Sequence, residues 1–67
     1  MIMKSENTGK YYEPSSSIYI VNPRQANLYL KHHAELLDVI PGERLAFVFD
    51  KKETAHLYKL WLSGDLQ

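Results

Sequence analysis

The chain has no cysteine, so no disulfide and no thiolate metal site can staple it. It has no excess of one charge, since eight Lys and Arg balance eight Asp and Glu. Nucleic-acid binders draw much of their affinity from neutralising phosphates and are usually basic, so that class starts at a disadvantage. No apolar run approaches the length of about eighteen residues that suggests a membrane span. The start, Met1-Ile2-Met3-Lys4, lacks the apolar stretch of a secretory signal. A cytoplasmic setting without a membrane partner is the expectation. Glycine is scarce, and Gly9, Gly42 and Gly64 stand apart, which excludes a glycine-rich phosphate loop.

Catalytic groupings are also missing. Ser15, Ser16 and Ser17 have no coupled histidine or orienting acid. Glu35 and Asp38 are out of register by one strand period, so their carboxylates point to opposite faces. His32-His33 with Glu35 is the best metal candidate, but adjacent helical histidines diverge by about 100 degrees, and the i, i+4 spacing of a helical zinc pair is absent. The expectation is therefore no enzyme, no metal and no cofactor.

What is present is a fold pattern. At 67 residues the chain makes one domain, and a domain this small buries only about 60% of its unfolded surface. Residues 44–50 form the most continuous apolar run. Leu45, Phe47 and Phe49 alternate with Ala46 and Val48, so both faces are apolar, as in a strand with neighbours on each side. Residues 18–21 are all strand formers. Asn22, Pro23 and Gln25 then mark a helix start, with a capping side chain, a first-turn proline and a residue that can reach back to the cap. This helix is predicted over 23–32, with Ala26, Tyr29, Leu30 and His33 on one face. A strand over 36–40 follows, then Pro41-Gly42 as the centre of a type II turn. Asp50 and Glu53 repeat the cap pattern, which predicts a second helix over 51–62 with Gly64 as its terminator.

Assembled, these elements give an α+β fold of β-α-β-β-α type. Its three-stranded sheet has order 1-3-2, with both helices packed on one face, and Tyr19, Val21, Ala46 and Val48 supply apolar surface on the other. Residues 1–17 are polar and read as a flexible N-terminal tail, with 18–67 as the single domain. Tyr11-Tyr12 is the exception and reads as a partly ordered lead-in, able also to add an edge strand or pack on a partner. A chain shortened to start at Tyr11 is expected to fold like the whole.

The second helix carries more apolar residues than one face can hold. Leu57, Leu60, Trp61 and Leu62 are the expected protein interface, and a homodimer is the expected way to cover them. The alternative is a nucleic-acid footprint made of Arg24, Lys31, His32, His33, Lys51 and Lys52.

Asn22-Pro23-Arg24-Gln25-Ala26, Tyr29, Asp38, Phe47-Val48-Phe49-Asp50, Glu53-Thr54, Leu57-Tyr58 and Trp61 occur in an order that resembles a family of short uncharacterised proteins from Gram-positive bacteria and their phages. The resemblance covers about residues 18–66. The family usually carries Asn-Gly after its first helix, where this chain has His32-His33. The resemblance implies a compact domain of phage or mobile-element type and hands over no catalytic residues. Together with the apolar helix surface it points to a small binding protein that occupies a protein partner, with a host factor as one such partner.

Overall fold

A computed structural model describes residues 1–67. In chain order the elements are β1 (Met3–Lys4), β2 (Tyr11–Tyr12), a 3-10 turn (Pro14–Ser16), β3 (Ser17–Ile20), α1 (Pro23–Lys31), β4 (Asp38–Ile40), β5 (Ala46–Asp50) and α2 (Ala55–Ser63). The fold is a small α+β domain with two antiparallel sheets. One pairs β1 with β2, and the other has the order β3-β5-β4. The topology therefore differs from the expected β-α-β-β-α, because a second sheet precedes it.

β5 lies between two neighbours because both of its faces can be buried. Phe49 and Val48, on opposite faces, are both inaccessible to solvent. On one face, Ile20, Ala26, Tyr29, Ala34, Phe49, Leu57 and Leu66 form the main core beneath the two helices. The Tyr29 ring meets Phe49 edge-on at 5.4 Å, a favoured aromatic geometry. On the other face, Val48, Leu37 and Tyr12 form a smaller cluster with Ile40 against it.

That second cluster corrects the expectation of a flexible tail. Residues 1–17 fold onto the sheet, with Ser5 and Tyr12 buried. The physical reason is that the face carrying Val48 and Asp38 has no helix to cover it. Ser5 N–H donates to Lys10 C=O and Gly9 N–H to Ser5 C=O, which closes the hairpin loop. The cover is partial. Of the apolar residues expected on this face, Val48 is buried and Ala46 half-buried, while Tyr19 and Val21 stay exposed.

The helix starts also differ from the expected capping boxes. Asn22 Oδ1 accepts from Arg24 N–H at 2.9 Å and from Gln25 N–H at 3.4 Å, as a cap should. Gln25 does not reach back. Its Nε2 donates to Tyr29 Oη at 3.0 Å inside the core. Thus Gln25, Ala26 and Tyr29 face inward, while Leu30 and His33 are exposed, contrary to the expected stripe. Asp50 Oδ2 accepts from Glu53 N–H at 2.9 Å, but residues 51–54 form turns, and α2 begins only at Ala55. Glu53 is drawn away from Asp50, because its Oε1 accepts Glu35 N–H at 2.8 Å. The second strand is likewise shorter than expected, starting at Asp38.

The turn after β4 is not type II. Gly42 is absent from the positive-φ residues, and the connection runs from Pro41 to Leu45 between the strands. A loop of that length does not need the positive φ of a two-residue turn.

Both helices close with a Schellman motif. At α2, Gly64 has φ 79, and Asp65 N–H donates to Leu60 C=O at 2.9 Å. At α1 the same place is held by His33, with φ 67. His33 N–H donates to Leu30 C=O and Ala34 N–H to Tyr29 C=O, both at 3.0 Å. A side chain in this left-handed region costs about 1–2 kcal/mol, part of which glycine's greater unfolded-state entropy offsets. His33→Gly should therefore raise stability by roughly 0.5–1 kcal/mol in urea titration. An unchanged or lower midpoint would contradict this reading.

Deleting residues 1–10 should do the reverse. It strips the buried Ser5 hydroxyl from Asp38, and a buried group left unsatisfied costs about 1–3 kcal/mol. Against a total of about 5 kcal/mol for so small a domain, the melting temperature should fall by about 4–24 °C. A shortened chain that melts with the whole would restore the flexible tail.

Candidate protein-docking groove

The three-stranded sheet has two outer edges, and they are treated differently. β4 forms one edge. Strand alternation turns the N–H and C=O of Val39 outward, because Asp38 and Ile40 are the partners of Val48 and Ala46. Those outward groups are capped. Val39 N–H donates to Asp38 Oδ1 at 2.8 Å, and Val39 C=O accepts from Asn7 Nδ2 at 2.7 Å. The carbonyls just before the strand are capped too. Leu37 C=O accepts from Thr8 Oγ1 at 2.6 Å, and Leu36 C=O from Lys10 Nζ at 3.0 Å.

The N-terminal hairpin is held in this capping position by Asp38. Its carboxylate accepts from Ser5 Oγ at 2.5 Å and from Tyr12 Oη at 2.7 Å. Burial pushes the Asp38 carboxyl upward, but these hydrogen bonds, with those from Val39 and Asn7, outweigh it and hold the group below its ordinary value. The Tyr12 phenol is pushed up to about 12, first by its hydrogen bond to Asp38 and then by burial.

β3 forms the other edge, and no strand lies beside it. Lys51 N–H donates to Ser16 C=O, and the same pattern aims the amides of Ile18 and Ile20 at β5 and that of Tyr19 outward. A groove of about 430 Å³ runs between this edge and α2, lined by Ile18, Ile20, Lys51, Thr54, Ala55, Tyr58 and Lys59. The alternation of β3 places Ile18 and Ile20 on the groove side. From α2, Ala55, Tyr58 and Lys59 follow the i, i+3, i+4 spacing of one helix face, and Leu62 continues it. Tyr58 and Leu62 are respectively 48% and 67% exposed, so the apolar surface extends beyond the groove itself.

The rim is positive. The ion pairs in the structure are Met1 amino–Glu13 and Lys10–Glu35, so Lys51 and Lys59 have no carboxylate partner. The nearest acids in the chain are engaged elsewhere, Asp50 with Glu53 N–H and Glu53 with Glu35 N–H.

The expected interface residues do not form one surface. Leu57 is 2% exposed and belongs to the core, a correction to its interface role. The main core needs a large side chain from α2 over Phe49, and Leu57 supplies it. Trp61, one turn on, is partly buried and packs against the same core. Leu60 and Leu62 are exposed, but two residues apart on a helix they point about 160 degrees from each other. Only Leu62 joins the groove face. The six basic residues of the alternative footprint are all exposed, and the bond from Glu35 N–H to Glu53 Oε1 brings the end of α1 near the turn after β5, leaving Arg24 apart at the other end of α1. Arg24 opens α1, Lys31, His32 and His33 close it, and Lys51 and Lys52 follow β5. Sequence reasoning missed Ile18, Ile20, Ala55, Tyr58 and Lys59 as a group. The available signal was the 55-58-59-62 spacing opposite a four-residue edge strand.

No family model, curated protein or solved structure matches this chain. No helix is long and apolar enough to cross a membrane.

The Asp38–Tyr12 pair sets the pH dependence of stability. Asp38 titrates lower folded than unfolded, so its contribution is present above the unfolded value, about 3.9, and is lost as pH falls through the lower folded value. Tyr12 titrates higher folded than unfolded. Its contribution is present below about 10 and is lost as pH rises through about 12. Tyr12→Phe should lower stability by roughly 1–3 kcal/mol between these limits and remove this phenol's share of the alkaline loss. Urea titrations from pH 3 to alkaline pH check both, and an unchanged profile would remove Asp38 and Tyr12 as the determinants.

Proposed function

We propose that this protein is a small non-enzymatic binding protein that acts by occupying a protein partner at the groove between β3 and α2. The observation that carries the reading is the coincidence of three features at one place. A free strand edge, an apolar channel of about 430 Å³ and an exposed Tyr58–Leu62 stripe adjoin one another. Contiguous exposed apolar surface on a small domain marks an interaction site. The opposite edge is closed by the domain's own side chains, and that contrast supports reading the open edge as a docking place.

The resemblance to short phage and mobile-element proteins supports the same reading, with a host factor as one such partner. Such a protein works by blocking or redirecting what it binds and needs no catalytic group. The nucleic-acid alternative is disfavoured by the balanced charge of the chain, eight Lys and Arg against eight Asp and Glu.

The test is retention of partners from a lysate of the source cell, comparing the native chain with Tyr58→Asp as baits. Tyr58 is an exposed groove residue, so the change should leave the melting temperature within a few degrees. The native chain should retain a discrete protein that Tyr58→Asp loses by at least tenfold. Identical retention by both baits would place any binding elsewhere and overturn the groove.

A further inference from the structure

We infer that the groove takes an extended peptide segment, added as a fourth strand along β3, with apolar residues at alternate positions and a carboxylate beside Lys51 or Lys59. The inference rests on the protein-binding reading above and gives its partner a chemistry.

Strand addition is the mode that uses all of the groove's features. The outward amide and carbonyl of Tyr19 give an incoming backbone its hydrogen bonds. A strand beside β3 must alternate its side chains between the two sheet faces. On one face they drop into the channel formed by Ile18, Ile20, Ala55 and Tyr58. On the other they meet Tyr19, which is half exposed. β3 spans four residues, so the complementary segment is a short one. A helix in this groove would leave the free edge of β3 unpaired. The charge requirement follows from the rim, where Lys51 and Lys59 carry two cations with no acid opposite them.

A second copy of the chain is the competing occupant. Edge-to-edge pairing of β3 with itself would bring the same lysines to the seam from both sides, and the groove lining contains no carboxylate to offset them. Like charges facing each other across an interface disfavour it, so the rim favours a foreign acidic strand.

The test pans a random octapeptide library displayed on phage against the full chain and, in parallel, against Lys51→Glu/Lys59→Glu. Both lysines are exposed or line an open groove, and the far-ultraviolet spectrum of the variant checks its fold. The native chain should enrich peptides with apolar residues at alternate positions and Asp or Glu at the flanks. The variant should lose the acids and gain Lys or Arg. An enriched peptide, resynthesised with fluorescein, should bind at least tenfold more weakly when its edge-facing amides are N-methylated. It should also slow hydrogen exchange at the Tyr19 amide.

Enrichment of peptides with helical i, i+4 apolar spacing, of the same peptides on both baits, or of none at all would overturn the inference. So would a sedimentation mass of two chains with Tyr19 already protected, which would seat a second copy on the edge. If Tyr58→Asp still abolishes retention of a cellular partner while no strand-like peptide is enriched, this inference fails alone. If both experiments fail, the protein-binding reading falls with it.

Discussion

The structure depends on one buried carboxylate. Asp38 opens β4 on the sheet face that has no helix above it, and only 8% of it is exposed. An ionised carboxylate buried without partners carries a large desolvation penalty. Asp38 avoids it with Ser5 Oγ, Tyr12 Oη and Val39 N–H, the last of these from its own strand. Ser5 is then occupied twice over. Its hydroxyl donates to Asp38 while accepting from the amides of Asn7 and Thr8 at 3.1 and 3.0 Å, so one oxygen shapes the loop and anchors it. Once that loop is in place, Asn7, Thr8 and Lys10 fall against the carbonyls of Val39, Leu37 and Leu36. The positions of a whole hairpin and the closure of a sheet edge thus follow from where one charge is buried.

Closing one edge defines the other. Free strand edges are templates for unwanted pairing, and proteins usually blunt them with charge, proline, bulges or cover. Here cover is spent on β4, and β3 has lysines near it but no lid. The groove persists because α2 meets the sheet through Leu57 and Trp61, which turns Ala55, Tyr58 and Leu62 towards the uncovered side. The apolar surplus of α2 is therefore divided between core and groove.

What the sequence shows and hides follows the range of the interactions. The Asn22 cap, the Gly64 terminator and the central place of β5 depend on neighbours in the chain or on a period of two, and they can be read directly. The Gln25 and Glu53 side chains satisfy the same local grammar but leave it for stronger partners, Tyr29 and the backbone of Glu35. His33 adopts the left-handed position that glycine normally fills, because the Schellman bonds to Leu30 and Tyr29 hold it there. The hairpin is hidden for a different reason. Ser5, Asn7, Thr8 and Lys10 have the composition of a solvated tail, and their partners lie 26 to 33 residues away. The groove is hidden because its two walls, β3 and α2, come from opposite ends of the domain, and only their packing brings Ile18 and Ile20 beside Ala55 and Tyr58.

The central claim is that Asp38 and its hairpin close one edge and leave the other open. Native-state hydrogen exchange on the isolated chain, read by residue at neutral pH, tests it most directly. The Val39 amide, held by Asp38 Oδ1 on the capped edge, should be protected to nearly the level of the amides in β5. The Tyr19 amide should exchange close to the rate of an unstructured peptide, while Ile18 and Ile20 on either side of it stay protected. Equal protection at Tyr19 and Val39, or rapid exchange at both, would contradict the account.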